Sequence, residues 1–266
     1  PRLHLVAVGI GEYAQADLRL TCPPRDAQTL SNLFTQRGKA LYEQVNARVL
    51  LDRAATREGI LTALKEAGAD SRPQDTLVVF LAGHGKVLGE RYYFVPQEFA
   101  KKAGEDFAAG LRAQGLSAEE IGEFLTQAKA LKRVLILDTC QSAGALGTID
   151  STSSGFELRG AVERLSRNQG VFTIAASGAE EEAFESNELG HGVLTYTLLA
   201  ALRGIDRGPL ADRHVQPNSE QGVVDIMEWF TFASGQAPRV SEKLFGQQQR
   251  VEMGLQGQSF PLLPLR

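Results

Sequence analysis

Short, continuous apolar runs alternate along the chain with longer stretches in which apolar residues recur every three or four positions. The runs are Leu3 to Ile10, Ala47 to Leu51, Thr76 to Ala82, Arg133 to Asp138 and Gly170 to Ser177. Most are rich in Val, Ile, Leu or Phe, and several end in Gly, Ser or Asp, which predicts strands. Continuous rather than alternating apolarity suggests strands covered on both faces, as in a mostly parallel sheet. Between them, the stripes Ala27, Leu30, Leu33 and Phe34; Ile60, Leu61 and Leu64; and Leu194, Thr197, Leu198 and Ala201 predict helices. Ser117 with Glu120 forms a capping box, followed by Ile121, Phe124, Leu125 and Ala128 at helical spacing. The repeated β-α-β order argues for α/β architecture with right-handed crossovers, in which ligands gather where the strands' carboxyl ends open into loops.

Other segments read differently. Leu88 to Pro96 predicts a small hairpin or added strands after the third sheet strand. The Ser-, Thr- and Gly-rich stretch Gly144 to Gly155 predicts a mobile loop. A second loop, Gly204 to Gly222, contains Pro209, Pro217 and Asn218 and divides the α/β body from a final helical tail. Trp229 and Phe230 on that tail are expected to cover the core or to meet a partner.

Composition narrows the classes. At 266 residues, 43% of them apolar, the chain is long enough for one large domain without disulfides or metal to hold it. With 28 Lys plus Arg against 32 Asp plus Glu and no long basic run, it lacks the footprint of a nucleic-acid or anionic-lipid binder. Leu77 to Ala82, the longest unbroken apolar run, is far short of the roughly 20 residues that span a bilayer, and the amino end lacks a signal-peptide pattern. A soluble, cytoplasmic protein is expected. Cys22 and Cys140 are too few for a disulfide scaffold or an all-thiolate zinc site. Pro1 in place of Met points to an excised domain or processed chain, with other domains of a longer parent as expected partners.

Two predicted strands end in chemistry. The run Leu77 to Ala82 stops at Gly83-His84-Gly85, and the run Val134 to Leu137 stops at Asp138-Thr139-Cys140-Gln141-Ser142. Both place a reactive side chain at a carboxyl end, on the same rim of the sheet. A lone buried Cys is usually inert packing. An imidazole and a thiol on equivalent strand ends are the pair a nucleophilic cysteine hydrolase needs. A free thiol with a pKa of about 8.5 is only a few per cent thiolate at neutral pH, so a neighbouring imidazole must take its proton and later protonate the leaving amine. The glycines let a substrate backbone approach His84, and the N–H groups of Gly85 and Cys140 are candidate oxyanion donors. Equally, they read as a tight turn requiring positive φ, and both readings can hold.

These residues resemble the caspase-like cysteine peptidases, particularly the bacterial and metacaspase branch. The resemblance rests on Val79 to Gly85 followed by Asp138 to Ser142, on the order His then Cys, on Leu5 to Gly9 as the family's first strand, and on Pro24-Arg25-Asp26-Ala27 as its Asn-Asp-Ala segment. Thr173 to Ser177 is similar to its late strand, and His191 to Tyr196 to the start of its last core helix. It covers about residues 1 to 203; the tail lies largely outside it, although Gln248 and Phe260-Pro261 are similar to an ending in bacterial members. It implies a caspase-like three-layer sandwich, a mostly parallel central sheet with helices on both faces, as a catalytic domain over 1–203 with a C-terminal helical extension over 204–266 packed on it. It also implies a Cys140–His84 dyad acting through a thioester, with no organic cofactor. Gln141 and Ala143 depart from the His and Gly usual in metacaspases, and Gly147 stands where some carry an acidic calcium ligand, so no metal site is implied and calcium activation stays open only as an alternative.

The resemblance bears on substrate as well. True caspases have Gln two positions before the nucleophile, where this chain has Asp138, and Asp26 matches the second acidic residue that metacaspases place in the same pocket. Two carboxylates facing the substrate's P1 side chain imply a protein or peptide cut after Arg or Lys. A charge-assisted hydrogen bond contributes about 1.5 to 3 kcal/mol, discriminating roughly tenfold or more against an uncharged residue. Ser177 is a candidate to line the same pocket, or simply finishes its strand. Asp26 reads alternatively as a first-turn carboxylate complementing a helix dipole, and Asp138 as a buried acid holding the loop beside Cys140. His191, between two glycines, reads as a helix-start residue, Cys22 as a small buried residue, and Glu180, Glu181, Glu182 and Glu185 as a solvated face. Arg159, Arg164 and Arg167 offer self-cleavage points. Two other classes stay open: a catalytically silent caspase-like interaction module, and another thiol hydrolase or acyl transferase of similar architecture.

Overall fold

The computed structural model describes residues 1–89, 91–140, 159–164, 170–177, 185–186 and 188–265, with Cys140, Ser177, Glu185 and Ser186 described by backbone alone. The loop expected at Gly144–Gly155, the departures at Gln141, Ala143 and Gly147, and Ser142, Arg167 and Glu180 to Glu182 lie outside the described residues. In chain order come β1 (Arg2–Gly9), α1 (Pro23–Arg37), β2 (Gln44–Leu51), α2 (Arg57–Asp70), β3 (Thr76–Leu88), β4 (Arg91–Phe94), α3 (Phe107–Gln114), β5 (Leu116–Ser117), α4 (Ala118–Gln127) and β6 (Lys132–Cys140). There follow β7 (Phe172–Ser177), β8 (Glu185–Ser186), β9 (His191–Gly192), α5 (Val193–Ala201), β10 (Val223–Asp225), α6 (Ile226–Phe245), β11 (Arg250–Gly254) and β12 (Pro261–Pro264).

The main sheet runs β11-β7-β6-β3-β1-β2. Its ladders from β2 through β7 are parallel, and β11 closes one edge antiparallel to β7. Strand periodicity splits the core into two layers. On β3, Leu77, Val79 and Leu81 pack with Ile60 and Leu64 of α2 and with Ile121 and Leu125 of α4. The alternate residues Val78, Phe80 and Ala82 pack with Leu30 of α1, Leu198 of α5 and Trp229 of α6. That is the expected three-layer sandwich. The continuous apolar runs are explained by it, since each inner strand buries both faces.

The capping box at α4 forms as read: Ser117 Oγ accepts from the Glu120 N–H at 3.2 Å, and Glu120 Oε2 from the Ser117 N–H at 3.0 Å. A second box, Asp225 with Glu228, starts α6 with the same exchange at 2.8 and 3.0 Å. Cys22 is buried, as expected. Trp229 covers the core: it is fully buried and its Nε1–H donates to the Leu198 carbonyl at 2.8 Å.

Two segments differ from the sequence reading. Strands β3 and β6 do not stop where apolarity stops; β6 continues to Cys140, and β3 runs on to Leu88 by passing from β6 to the hairpin strand β4. Polar residues at the rim still pair by backbone, which hydropathy does not register. The tail is also not helical alone. Besides α6 it supplies β10 and β12, which pair with each other, and β11, which occupies the sheet edge beside β7 that would otherwise stand open. Among the described residues no helix is long and apolar enough to cross a membrane.

Candidate active site

Parallel strands present all their carboxyl ends on one rim, and the ladder between β3 and β6 ends there on the rung His84↔Cys140. Neighbouring strands lie about 4.8 Å apart, so the imidazole-bearing and thiol-bearing residues sit side by side in the backbone. Asp138 lies two residues earlier on β6, opposite Ala82. Ser177 follows Ala176, the register partner of Asp138, and closes β7. His84, Cys140, Asp138 and Ser177 therefore stand at the carboxyl ends of three adjacent strands.

His84 is held from several sides by the segment that follows β1. It is 2% exposed, and its backbone N–H donates to the Tyr13 hydroxyl at 2.8 Å. The Tyr13 ring leans on the imidazole with centroids 5.1 Å apart. The ring's Nε2 lies 2.8 Å from the Leu18 carbonyl. A carbonyl only accepts, so Nε2 carries the proton and Nδ1 is left as the basic nitrogen of the neutral ring. The segment itself is pinned by Asp52, whose carboxylate accepts the N–H groups of Gly11 and Glu12 at 2.8 and 2.9 Å. Asp52 adopts a left-handed φ of 44° to do so.

The glycines flanking His84 have distinct reasons. Gly83 has φ 152°, and a Cβ there would come within 2.5 Å of the Tyr13 hydroxyl oxygen. At Gly85, a Cβ would run into the Tyr92 hydroxyl and the Thr139 Oγ1, which are hydrogen-bonded to each other at 3.0 Å. Close approach thus comes from the protein's own side chains. His84 turns its N–H to Tyr13 and its carbonyl to the N–H of Val95, at 3.0 Å. Backbone groups alternate along a strand, so the N–H of Gly85 faces the strand that carries Cys140.

Asp26 and Asp138 converge beside this rung, at the amino end of α5. Both are buried. Asp138 Oδ2 accepts the Thr195 N–H at 3.0 Å and also the Thr195 hydroxyl. Asp26 Oδ2 accepts the Gly192 N–H at 3.1 Å, and Asp26 Oδ1 lies 2.6 Å from His191 Nδ1. Burial, with the nearby charges of Arg25 and Arg207, lowers His191 to about 4. The ring is then neutral at pH 7 and Nδ1–H donates to the carboxylate. A Cβ on Gly192 would be 3.0 Å from Asp138 Oδ2 and 3.3 Å from Asp26 Oδ2, so a side chain there would press both acids outward by a few tenths of an ångström.

Sequence reasoning missed Tyr13, the Leu18 carbonyl, Thr195 and the tie from His191 to Asp26. Tyr13 stood just beyond the first strand's carboxyl end, where ligand-handling loops are expected, and was open to notice. A backbone carbonyl leaves no residue signature. His191 does precede α5 as read, but through its ring it belongs to the acidic cluster. Among the described residues no group of three or more His, Cys, Asp or Glu is placed to hold a metal ion.

The arrangement has a counterpart in sequence space. The caspase domain of the C14 peptidases matches residues 2–242. This chain belongs to the caspase family. The match extends past residue 203 and takes in most of α6, so the family's domain includes part of what the sequence reading set apart as a tail. The family is one of cysteine proteases. Three solved structures share the caspase fold at identities that speak for fold alone. A protein from Geobacter sulfurreducens has a TM-score of 0.58 and 13% identity over 97% of this chain and 95% of that one. Caspase-1 from Spodoptera frugiperda has 0.56 and 13% over 96% and 86%. The Drosophila initiator caspase Dronc has 0.51 and 12% over 95% and 80%. No curated protein matches the sequence.

Proposed function

We propose that this caspase-family protein is an endopeptidase that cuts after Arg or Lys by a Cys140–His84 dyad. The observation that carries the reading is the rung His84↔Cys140 on neighbouring parallel strands, with Nε2 of His84 engaged by a carbonyl and Nδ1 left basic. Nδ1 takes the thiol proton as sulfur attacks the carbonyl carbon after the P1 residue. The oxyanion that forms is met by the N–H groups of Gly85 and Cys140. Nδ1–H then protonates the departing amine, leaving a thioester. Water adds to the thioester as Nδ1 removes its proton; collapse releases the new carboxyl end and returns the proton to sulfur. Thiol, imidazole and amides balance this chemistry, so no cofactor enters it.

Specificity for a basic P1 side chain follows from Asp26 and Asp138, with Ser177 at the neighbouring strand end. Two buried carboxylates on one side of the dyad favour a guanidinium or ammonium and repel an acid. Fluorogenic peptides ending in Arg, Lys or Asp, with Cys140→Ala and Asp138→Ala as controls, test the reading. We expect release after Arg and Lys only, abolished by Cys140→Ala and weakened about tenfold by Asp138→Ala. Cleavage after Asp would overturn the pocket. A catalytically silent interaction module is the second reading, favoured by one observation: both acids already cap the amino end of α5. Absence of cleavage under every activating condition would select it. Self-cleavage has a local obstacle, because Arg159 and Arg164 lie in residues 159–164, which are helical, with Arg159 paired to Glu163 at 3.1 Å.

A further inference from the structure

The acidic cluster has more donors than helix capping requires. A carboxylate that merely caps α5 needs the amides of its first turn, and Gly192 and Thr195 supply them. Asp26 also receives the half-buried His191 ring on its other oxygen. His191 is set by local structure: it opens β9, pairs with Ser186 of β8, and follows Gly190, whose φ is 67° and whose carbonyl accepts from Arg25 Nη1 at 3.3 Å. The ring thus arrives at Asp26 from the element before α5, 165 residues away in sequence.

Charge adds a second argument. Two carboxylates meet at Gly192, while the amino end of a helix offers only about half a positive charge. The donors named above, two amides, one hydroxyl and a neutral imidazole, bring no net charge of their own to the acids. An imidazolium or a lysine at position 191 would instead neutralise Asp26 and remove the attraction for a cation.

We propose that His191 is a specificity-determining residue: its Nδ1–H holds the Asp26 carboxylate in the orientation that receives the cationic P1 side chain of the substrate. This rests on the reading of Asp26 and Asp138 as the P1 pocket and adds the residue that aims it. His191 acts through Asp26 and is a positioning residue, not a member of the dyad.

Benzamidine, a guanidinium-like cation that needs no turnover, is the probe, titrated calorimetrically onto the full chain carrying Cys140→Ala at pH 7.5. We expect saturable binding, weakened about tenfold by adding His191→Ala and abolished by adding His191→Lys. His191→Asn, whose amide N–H stands close to the position of Nδ1–H, restores affinity to within about twofold, whereas His191→Gln does not. The contrast between Asn and Gln keeps the test decisive where Ala fails to fold. Equal affinity in the Asn and Gln variants overturns the proposal, as does absence of benzamidine binding to the parent protein. With Cys140 present, the ratio of kcat/KM for Arg over citrulline at P1 should fall in parallel. Benzamidine binding that tracks position 191 in a protein that cleaves nothing would sink the peptidase reading and leave His191 as the residue that orients Asp26 toward a bound cation.

Discussion

Two histidines are buried at opposite ends of the parallel strands of one mixed sheet, and their surroundings set a supporting role against the proposed catalytic one. His4, at the amino end of β1, is fully buried with Nε2 3.4 Å from Asp75. Asp75 is also fully buried and takes the backbone N–H groups of Arg2 and Arg72 at 2.8 and 2.9 Å and both their guanidinium groups. That network of hydrogen bonds and arginines drives the Asp75 carboxyl far below the usual carboxylate range despite its burial. Burial conversely lowers His4, and its Nδ1 has no hydrogen-bond partner among the described residues. His84, at the carboxyl end, meets a neutral carbonyl in place of a charged acid and shares its rung with Cys140. An imidazole beside an acid already held by two arginines has little left to do. One held by a carbonyl at Nε2 has Nδ1 as its basic nitrogen, as the proposed dyad requires.

The sharpest break between the two ends is exchange of the imidazole itself. His84→Gln should reduce peptide cleavage by about 10²- to 10⁴-fold, the usual contribution of a general base, with unfolding little changed. His4→Gln should leave kcat and KM as they are. Equal losses of activity would erase the contrast.

Next in size is the acid at the amino end. Asp75→Asn removes the charge that pairs with Arg2 and Arg72 and should destabilise the fold by about 3 kcal/mol in denaturant titration. Activity per folded molecule should not change, because the pair is at the far end of the strands from the rung. A loss of kcat matching the loss of stability would show the two ends to be coupled.

Tyr13→Phe tests the hold on His84 more finely. It strips the hydroxyl that receives the His84 N–H and leaves a buried donor without its partner, at a cost of about 1 to 3 kcal/mol. We expect kcat to fall about tenfold with KM nearly unchanged, since Tyr13 steadies the base and not the P1 pocket. A rise in KM at constant kcat would place it on substrate.

The smallest expected effect is on pH. His4 and His191 both bind their proton less readily folded than unfolded, His191 with a folded value of about 4 against 6.5. Below pH 6.5 the unfolded chain therefore takes up more protons than the folded one, and stability declines as pH falls toward 4. Thermal melts across that range should show the decline, and a His4→Gln, His191→Asn double variant should flatten it. An unchanged slope in the double variant would assign the decline to other groups.

Much of this was legible in residue order. The inner strands β1, β3, β6 and β7 and the helices between them follow from hydrophobic periodicity, because each inner strand buries both faces and each helix one; the edge strand β2 was legible as an apolar run although none of its residues is fully buried. The capping box at Ser117 was visible as a local pattern, and the same pattern at Asp225 could have been read. The proposed dyad was legible because His84 and Cys140 come within three residues of the ends of two apolar runs. The tail was less legible, since β11 forms a strand only because β7 presents an open edge beside it.

Residue order by itself determined the α/β alternation, the strand ends that carry imidazole and thiol, and the acids next to them, all of which are local relations between neighbours in the chain. Tertiary structure alone decided the register that sets His84 against Cys140, the Leu18 carbonyl that selects the tautomer, and the arrival of His191 at Asp26. The reason is physical: periodicity and capping act over a few residues, whereas those three contacts join segments whose meeting is settled only when the two core layers close on the sheet.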